Sequence, residues 1–305
     1  MEHSYKEFWE YQGYKIIDCL ECGFKHLDPI PDFESVKQFY HYKYHVHVKS
    51  FNYAAISDEI VVRQLNCVGR NRIFSDVYRK VAELLGDSPD RRMIDIGCGH
   101  NLLAKYFQDN GWVVCGLEPG KETANYLRRF GLEIYETFAE DIETLHLPDL
   151  AFINIQFVLE HTRYPLDVLK KLYGKLQPGG ILRVCVPNDF SEGQLAYVQS
   201  NQAEMKWVCL PDHFNYFSFD SLSGLLTQAG FREIYRTTNF PLEFLLLGGI
   251  DYYRNEEERQ RVGPFVRNFE RSWLETGREQ ALTRFYERLA ALGWGRSIFM
   301  YAQKG

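Results

Sequence analysis

The segment Met93–Asn101, MIDIGCGHN, places an acid and two glycines at a spacing that suits a nucleotide-like ligand. Asp95, Gly97 and Gly99 lie where a short apolar run gives way to a loop. Without a Cβ, such glycines let the backbone come close to a ligand. The fingerprint G-x-G-x-x-G would place its third glycine at position 102, where the chain has Leu102. A pyrophosphate, and with it NAD, is therefore disfavoured. A P-loop is excluded because no Lys-Ser/Thr pair follows. The ligand expected is nucleoside-like and need not carry phosphates. Glu118, in GLEP, follows the loop by about 20 positions and suits the ribose hydroxyls of any adenosine ligand. Asp141, in FAED, can accept from an adenine amine; its plainer role is a solvated loop acid or a helix cap. A second constellation lies near the start, where CLECGFKHLDPIP carries Cys19 and Cys22 as a C-x-x-C knuckle. His41 and His45 follow at x3 spacing, which makes a Cys2His2 zinc site conceivable.

These residues need elements to hold them. From Arg92 onward, RMIDIG, WVVCGLE, LEIYE, LAFINIQFV and ILRVCVPN read as strands. Between them, LLAKYFQDNG, KETANYLRRFG and PLDVLKKLYGKLQPGG read as helices. Strands alternating with helices at this pitch imply right-handed crossovers and a mostly parallel sheet with helices on both faces. Asp95, Glu118 and Asp141 then fall at strand ends, where such sheets bind ligands. Upstream, residues 58–86 read as helix interrupted near Gly69, and residues 1–57 as an aromatic-rich, irregular extension. Downstream, SFDSLSGLLTQAGF reads as a helix ending at Gly230, FREIYRTTNF as a strand and SIFMYAQK as an alternating final strand. Residues 241–295 are helical and charged, and EEERQR there reads as a solvated face. The core is thus 58–240 with 296–305. The insertion 241–295 serves as a cap or an oligomer contact, as in a homodimer.

Composition narrows the partners. The 305 residues are 45% hydrophobic and 25% charged, as in globular proteins. A formal net charge of −6 and the lack of a long basic run argue against nucleic acid. No stretch reaches the ~18 apolar residues of a membrane span, and MEHSYKEFWEYQ has no signal-peptide layout. Seven scattered cysteines read as reduced thiols, so the expected location is cytoplasmic.

The ordered set DIGCG, GLEP and AED, with FVLEHTRYPLDVLKKLYGKLQPGGILRVCVPN, resembles the class I S-adenosylmethionine-dependent methyltransferases over about residues 90–188. The resemblance implies a Rossmann-like α/β fold, a three-layer sandwich around a seven-stranded, mostly parallel sheet. Its last strand would be antiparallel, supplied by SIFMYAQK. It implies S-adenosyl-L-methionine as cofactor and a small-molecule acceptor. Asp95, Gly97, Gly99, Asn101, Glu118, Asp141 and Gln156 would line the cofactor, with Asp95 orienting its ammonium group. Asn101 stands where the family often has a third glycine, and Asn tolerates left-handed backbone better than most residues.

The methyl group of a sulfonium is already activated, so the protein must align a nucleophile and exclude water. A base is needed when the nucleophile enters protonated, and His161 and His213 are the candidates. His161, in LEHTRYP, falls beside the expected methyl position. LPDHFNYFSFDSL, with His213, resembles a stretch of the deoxysugar methyltransferases, whose acid-His pair contacts the acceptor. Here the acid is Asp212 in place of Glu. Those enzymes often carry an N-terminal zinc ribbon with two knuckles. The upstream knuckle is absent here, and the 18-residue gap between Cys22 and His41 exceeds that of the usual finger. A metal-free remnant is therefore expected, packed as a lid over the acceptor side with Phe39, Tyr40, Tyr42 and Tyr44 as lining or core. The lead acceptor is a sugar or sugar nucleotide, methylated on oxygen or carbon. A quinone-like or other natural-product acceptor is the alternative, and an inactive cofactor-binding partner protein a further one.

Overall fold

The computed structural model describes residues 3–32, 34, 53 and 56–305. His41 and His45 lie outside the described residues, as do Phe39, Tyr40, Tyr42 and Tyr44. The chain divides into two compact units. One comprises Ile30–Val184, Leu226–Arg232 and Tyr301–Gly305; the other comprises Met1–Pro29, Cys185–Leu225 and Glu233–Met300.

In the first unit, the stretch expected as helix over 58–86 is two helices, α1 (Asp58–Val68) and α2 (Arg72–Leu85). The break falls at Gly69, and Ser57 and Asn71 each accept from a first-turn amide of the helix that follows. Then come β4 (Arg92–Ile96), α3 (Leu103–Asp109), β5 (Val113–Leu117), α4 (Lys121–Arg128), β6 (Glu133–Tyr135), β7 (Leu150–Gln156) and α5 (Pro165–Lys175). Pairings β4/β5, β4/β7 and β5/β6 are parallel, with Asp95 opposite Gly116 and Asn154. β7 is buried at its first six positions, as a strand covered on both faces must be. Phe107 stacks on Phe152 at 5.3 Å, and Trp112 meets Phe107 edge-on at 5.1 Å. Burying one such side chain contributes roughly 1.5–3 kcal/mol.

The helix expected to run through QPGG instead stops at Lys175, and Leu176–Pro187 forms one long strand, β8. Pro178 has no amide hydrogen to continue a helix, and Gly179 takes a positive φ of 77°. With β10 (Phe231–Thr238) and β11 (Ser297–Lys304) the sheet has seven strands in the order β10-β11-β8-β7-β4-β5-β6. This is the Rossmann-like α/β architecture that the sequence predicts.

The second unit corrects the irregular N-terminus. β1 (Tyr5–Tyr11), β2 (Tyr14–Cys19) and β3 (Lys25–Asp28) form an antiparallel sheet closed by β9 (Asn215–Tyr216). Gln12 and Gly13 make the two-residue turn, both at positive φ (50° and 82°). Such a turn ordinarily announces itself as Asn-Gly, and Gln12 hides it. The unit also holds α6 (Glu192–Asn201), α8 (Glu243–Leu247), α9 (Glu256–Leu274), α10 (Glu279–Ala291) and, as far as Leu225, α7 (Phe219–Gln228). The insertion has an apolar core of its own, built on Phe240, Leu245, Leu282, Tyr286 and Leu289 against Tyr197 of α6. No described helix is long and apolar enough to cross a membrane.

Candidate functional site

Asp95 is the fourth residue of β4 and is 2% exposed. Its Oδ1 accepts from Asn154 Nδ2 at 2.6 Å. The Asn154 Oδ1 in turn accepts from Arg183 Nη1 at 2.6 Å, and the same nitrogen donates to Gln156 Oε1 at 3.0 Å. Strand register makes this relay: β4 and β7 lie side by side with Asp95 opposite Asn154. Burial pushes the Asp95 carboxyl up to about 6, while the Asn154 hydrogen bond and the Arg183 charge oppose the rise. The Asp95 Oδ2 is buried and has no hydrogen-bond partner among the described residues. A buried carboxylate oxygen left in this state is expensive unless a donor arrives from outside the protein.

The loop after β4 is shaped by its glycines. Gly97 takes φ +66°, and a Cβ there would overlap Val158 Cγ2. Gly99 takes φ +57°, and a Cβ there would meet Gly97 O at 3.9 Å, an ordinary contact. Its amide donates to Glu118 Oε2 at 3.0 Å. Glu118 Oε1 accepts from the Gly120 amide at 2.8 Å. The carboxylate thus ties the end of β5 to the glycine loop and is itself buried.

Asn101 does not use left-handed backbone, contrary to the tolerance invoked from its residue type. Its Oδ1 instead accepts from the Leu103 amide at 3.0 Å, closing the start of α3. Asp141 is half-buried on the short helical turn Ala139–Thr144 after β6. Gln156 ends β7, and Phe157 beside it has φ +54° and is 43% exposed. A left-handed aromatic residue is strained and persists where its surroundings fix it, often at binding sites. His161 ends the turn Leu159–His161, with Nε2 at 3.9 Å from the buried carboxylate of Glu160. Asp95, Gly97, Gly99, Asn101, Glu118, Asp141, Gln156 and His161 therefore all belong to one unit.

His213 belongs to the other unit. Its amide donates to Cys209 O at 2.8 Å, and its carbonyl accepts from the Tyr216 hydroxyl at 3.1 Å. Asn154 and Arg183 were not anticipated from the sequence. Arg183 had a signal: a charge inside the apolar run ILRVCVP, where a doubly covered strand tolerates only a paired one.

Acids near strand ends around a glycine loop have the chemistry to accept hydrogen bonds from an ammonium, ribose hydroxyls and an adenine amine, and so fit S-adenosylmethionine. The buried, unpartnered Asp95 Oδ2 is the observation that carries the fit. A family model described as a methyltransferase domain matches residues 70–235. The ubiquinone biosynthesis O-methyltransferase of Vibrio vulnificus (strain YJ016) is 29% identical over 96 residues, 30% of this chain and 41% of that protein. The protein of the same name from Dinoroseobacter shibae is 28% identical over 151 residues, 47% of this chain and 60% of that one. The chain thus spans about two-fifths to three-fifths of the length of these curated relatives. The magnesium protoporphyrin IX methyltransferase of Synechocystis PCC 6803, solved with bound S-adenosylhomocysteine, has a TM-score of 0.50 and 11% identity, covering 90% of this chain and 100% of that one. That likeness speaks to fold alone. The matched segment exceeds half of the 305 residues, and the chain belongs to the methyltransferase-domain family, on the class I S-adenosylmethionine-dependent fold.

Proposed function

We propose that this chain transfers a methyl group from S-adenosylmethionine to a hydroxyl oxygen of a small, quinone-like aromatic acceptor. The cofactor, when bound, supplies an electrophilic methyl on its sulfonium. The protein's own residues do the rest. Asp95 presents its open Oδ2 to the ammonium of the methionine end. Glu118, held against the Gly99 and Gly120 amides, accepts from the ribose hydroxyls. Asp141 accepts from the adenine amine, Gly97 and Gly99 let the loop backbone approach, and Asn101 and Gln156 complete the lining. His161 or His213 removes the acceptor proton, since imidazole titrates near neutral pH.

The observation that carries the cofactor assignment is the open Asp95 Oδ2 beside the glycine loop. The relatives named as ubiquinone biosynthesis O-methyltransferases support a quinone-like acceptor over the sugar favoured from sequence. The stretch LPDHFNYFSF around His213 keeps a sugar acceptor as the second reading. Calorimetric titration with S-adenosylhomocysteine should give micromolar binding. Glu118→Ala should weaken it by about 1–3 kcal/mol, the scale of a lost hydrogen bond to a charged group. A preference for NAD would overturn the cofactor assignment. With binding in hand, product mass is followed on a catechol-type acceptor panel and a sugar-nucleotide panel. Methylated catechols support the proposal, and turnover of sugar nucleotides alone replaces it with the second reading. Loss of turnover with retained cofactor affinity in His161→Ala or in His213→Ala identifies the base.

A further inference from the structure

Four soft or borderline ligands converge at the N-terminal sheet, in a set that the sequence did not pair. His3 precedes β1, Cys19 ends β2, Cys22 lies in the turn after it, and His26 is on β3. His3 Nδ1 lies 3.2 Å from His26 Nε2, 3.2 Å from Cys19 Sγ and 3.6 Å from Cys22 Sγ. All four ligand atoms are within 4.8 Å of one another. A tetrahedral zinc ion with bonds of ~2.1 Å to nitrogen and ~2.3 Å to sulfur would set its ligands about 3.4 Å (N to N) and about 3.6 Å (N to S) apart. The observed spacings match those edges to within a few tenths of an ångström.

The surroundings orient these atoms inward. The His26 Nδ1 lies 2.7 Å from Leu27 O, a hydrogen bond that places the proton on Nδ1 and leaves the Nε2 lone pair facing the cluster. The Cys22 amide donates to Cys19 Sγ at 3.3 Å. Gly23, at φ +76°, turns the chain back so that its amide donates to Cys19 O at 3.0 Å. The N-terminal segment is fastened over this turn. The Leu20 amide donates to Ser4 O at 2.9 Å, and the Ser4 amide and hydroxyl donate to Glu21 Oε1 at 3.2 and 2.6 Å. That clamp puts His3 beside the knuckle. Glu21 Oε2, 3.4 Å from Cys19 Sγ, sits at the outer edge of the set. Cys19 and His26 are 1% and 2% exposed.

We propose that His3 Nδ1, Cys19 Sγ, Cys22 Sγ and His26 Nε2 hold one zinc ion in a closed tetrahedral site. Four protein ligands leave no open position, so the ion is structural. Binding takes up Zn2+ and releases the two thiol protons, giving a neutral N2S2 complex. The ion replaces the metal-free remnant expected from the sequence, and His41 and His45 are not needed. Its reach extends past the knuckle. β3 pairs with β9 through His26 opposite Asn215 and Lys25 opposite Tyr216, and the Leu27 amide donates to Phe214 O at 2.9 Å. The metal thereby braces the segment that follows His213. The proposal does not rest on the methyl-transfer reading.

The test uses the full chain, free of any tag and prepared without chelator. Elemental analysis should find one zinc per chain. Cobalt in its place should give a thiolate-to-cobalt charge-transfer band and the intense visible bands of tetrahedral geometry. Cys22→Ser and His26→Ala should bring zinc close to zero, and the double variant His41→Ala/His45→Ala should keep it. Should the ligand variants fail to fold, wild-type protein stripped with a chelator serves instead. Hydrogen exchange should then quicken at Lys25–Asp28 and Asn215–Tyr216 and slow again on adding zinc. Zinc absent from the purified chain, an octahedral cobalt spectrum, or zinc lost from the His41/His45 variant would overturn the proposal. Exchange that is indifferent to zinc would overturn the bracing of β9.

Discussion

At the scale of single residues, Asp95 is the most telling group. Its carboxyl is raised to about 6 in the folded chain by burial, against about 3.9 for an unperturbed Asp. A raised acid contributes stability that is fully present below the unfolded value. That stability is lost as pH climbs from about 4 through about 6. Denaturant unfolding of the ligand-free protein should show wild type falling relative to Asp95→Asn across this window, with parallel curves above about 7. Parallel curves throughout would mean that the carboxyl is not strained by burial. The positions of Asp95, Gly97, Gly99 and Glu118 were legible because each lies at or just past the end of a strand-like run. The role of Asn101 was not, because a side chain that closes α3 leaves no mark in the spacing.

Among the elements, the first hairpin shows how a local signal goes unseen. Gln12 occupies a positive-φ turn position that prefers Asn, and Gly13 fills the other. Gln12→Asn should raise the thermal midpoint, because Asn enters the left-handed region more readily than Gln. A differential scan of the two proteins checks it, and an unchanged or lower midpoint would show that the turn is dictated by the strands alone. The alternation of strands and helices from β4 to β8 was readable from periodicity. The end of α5 was misplaced, because Leu172 to Leu176 continue an apolar helical pattern up to the proline that stops it.

For the whole molecule, ligand and stability are linked by mass action. Anything that binds only the folded chain stabilises it by about 2.7 kcal/mol at 100 times its dissociation constant. S-adenosylhomocysteine should therefore raise the unfolding midpoint in a concentration-dependent way, and NAD should leave it where it was. A midpoint unmoved by saturating S-adenosylhomocysteine would contradict the cofactor site. The insertion 241–295 adds its own packed core, including Trp273 stacked on Phe285 at 6.2 Å. The charge-rich sequence of α9 had suggested chiefly a solvated face, and EEERQR does lie largely exposed.

The sequence by itself determined the α/β rhythm, the glycine loop and the acids that follow it, because periodicity and strand ends are local properties. Tertiary structure decided the partners. Asp95, Asn154 and Arg183 meet only because parallel strands far apart in the chain share a register. His3 and His26 face Cys19 and Cys22 because an antiparallel sheet folds the first residues back over the knuckle. Spacing along a chain fixes which side chains share a face of one element. Pairing between elements fixes which of them touch.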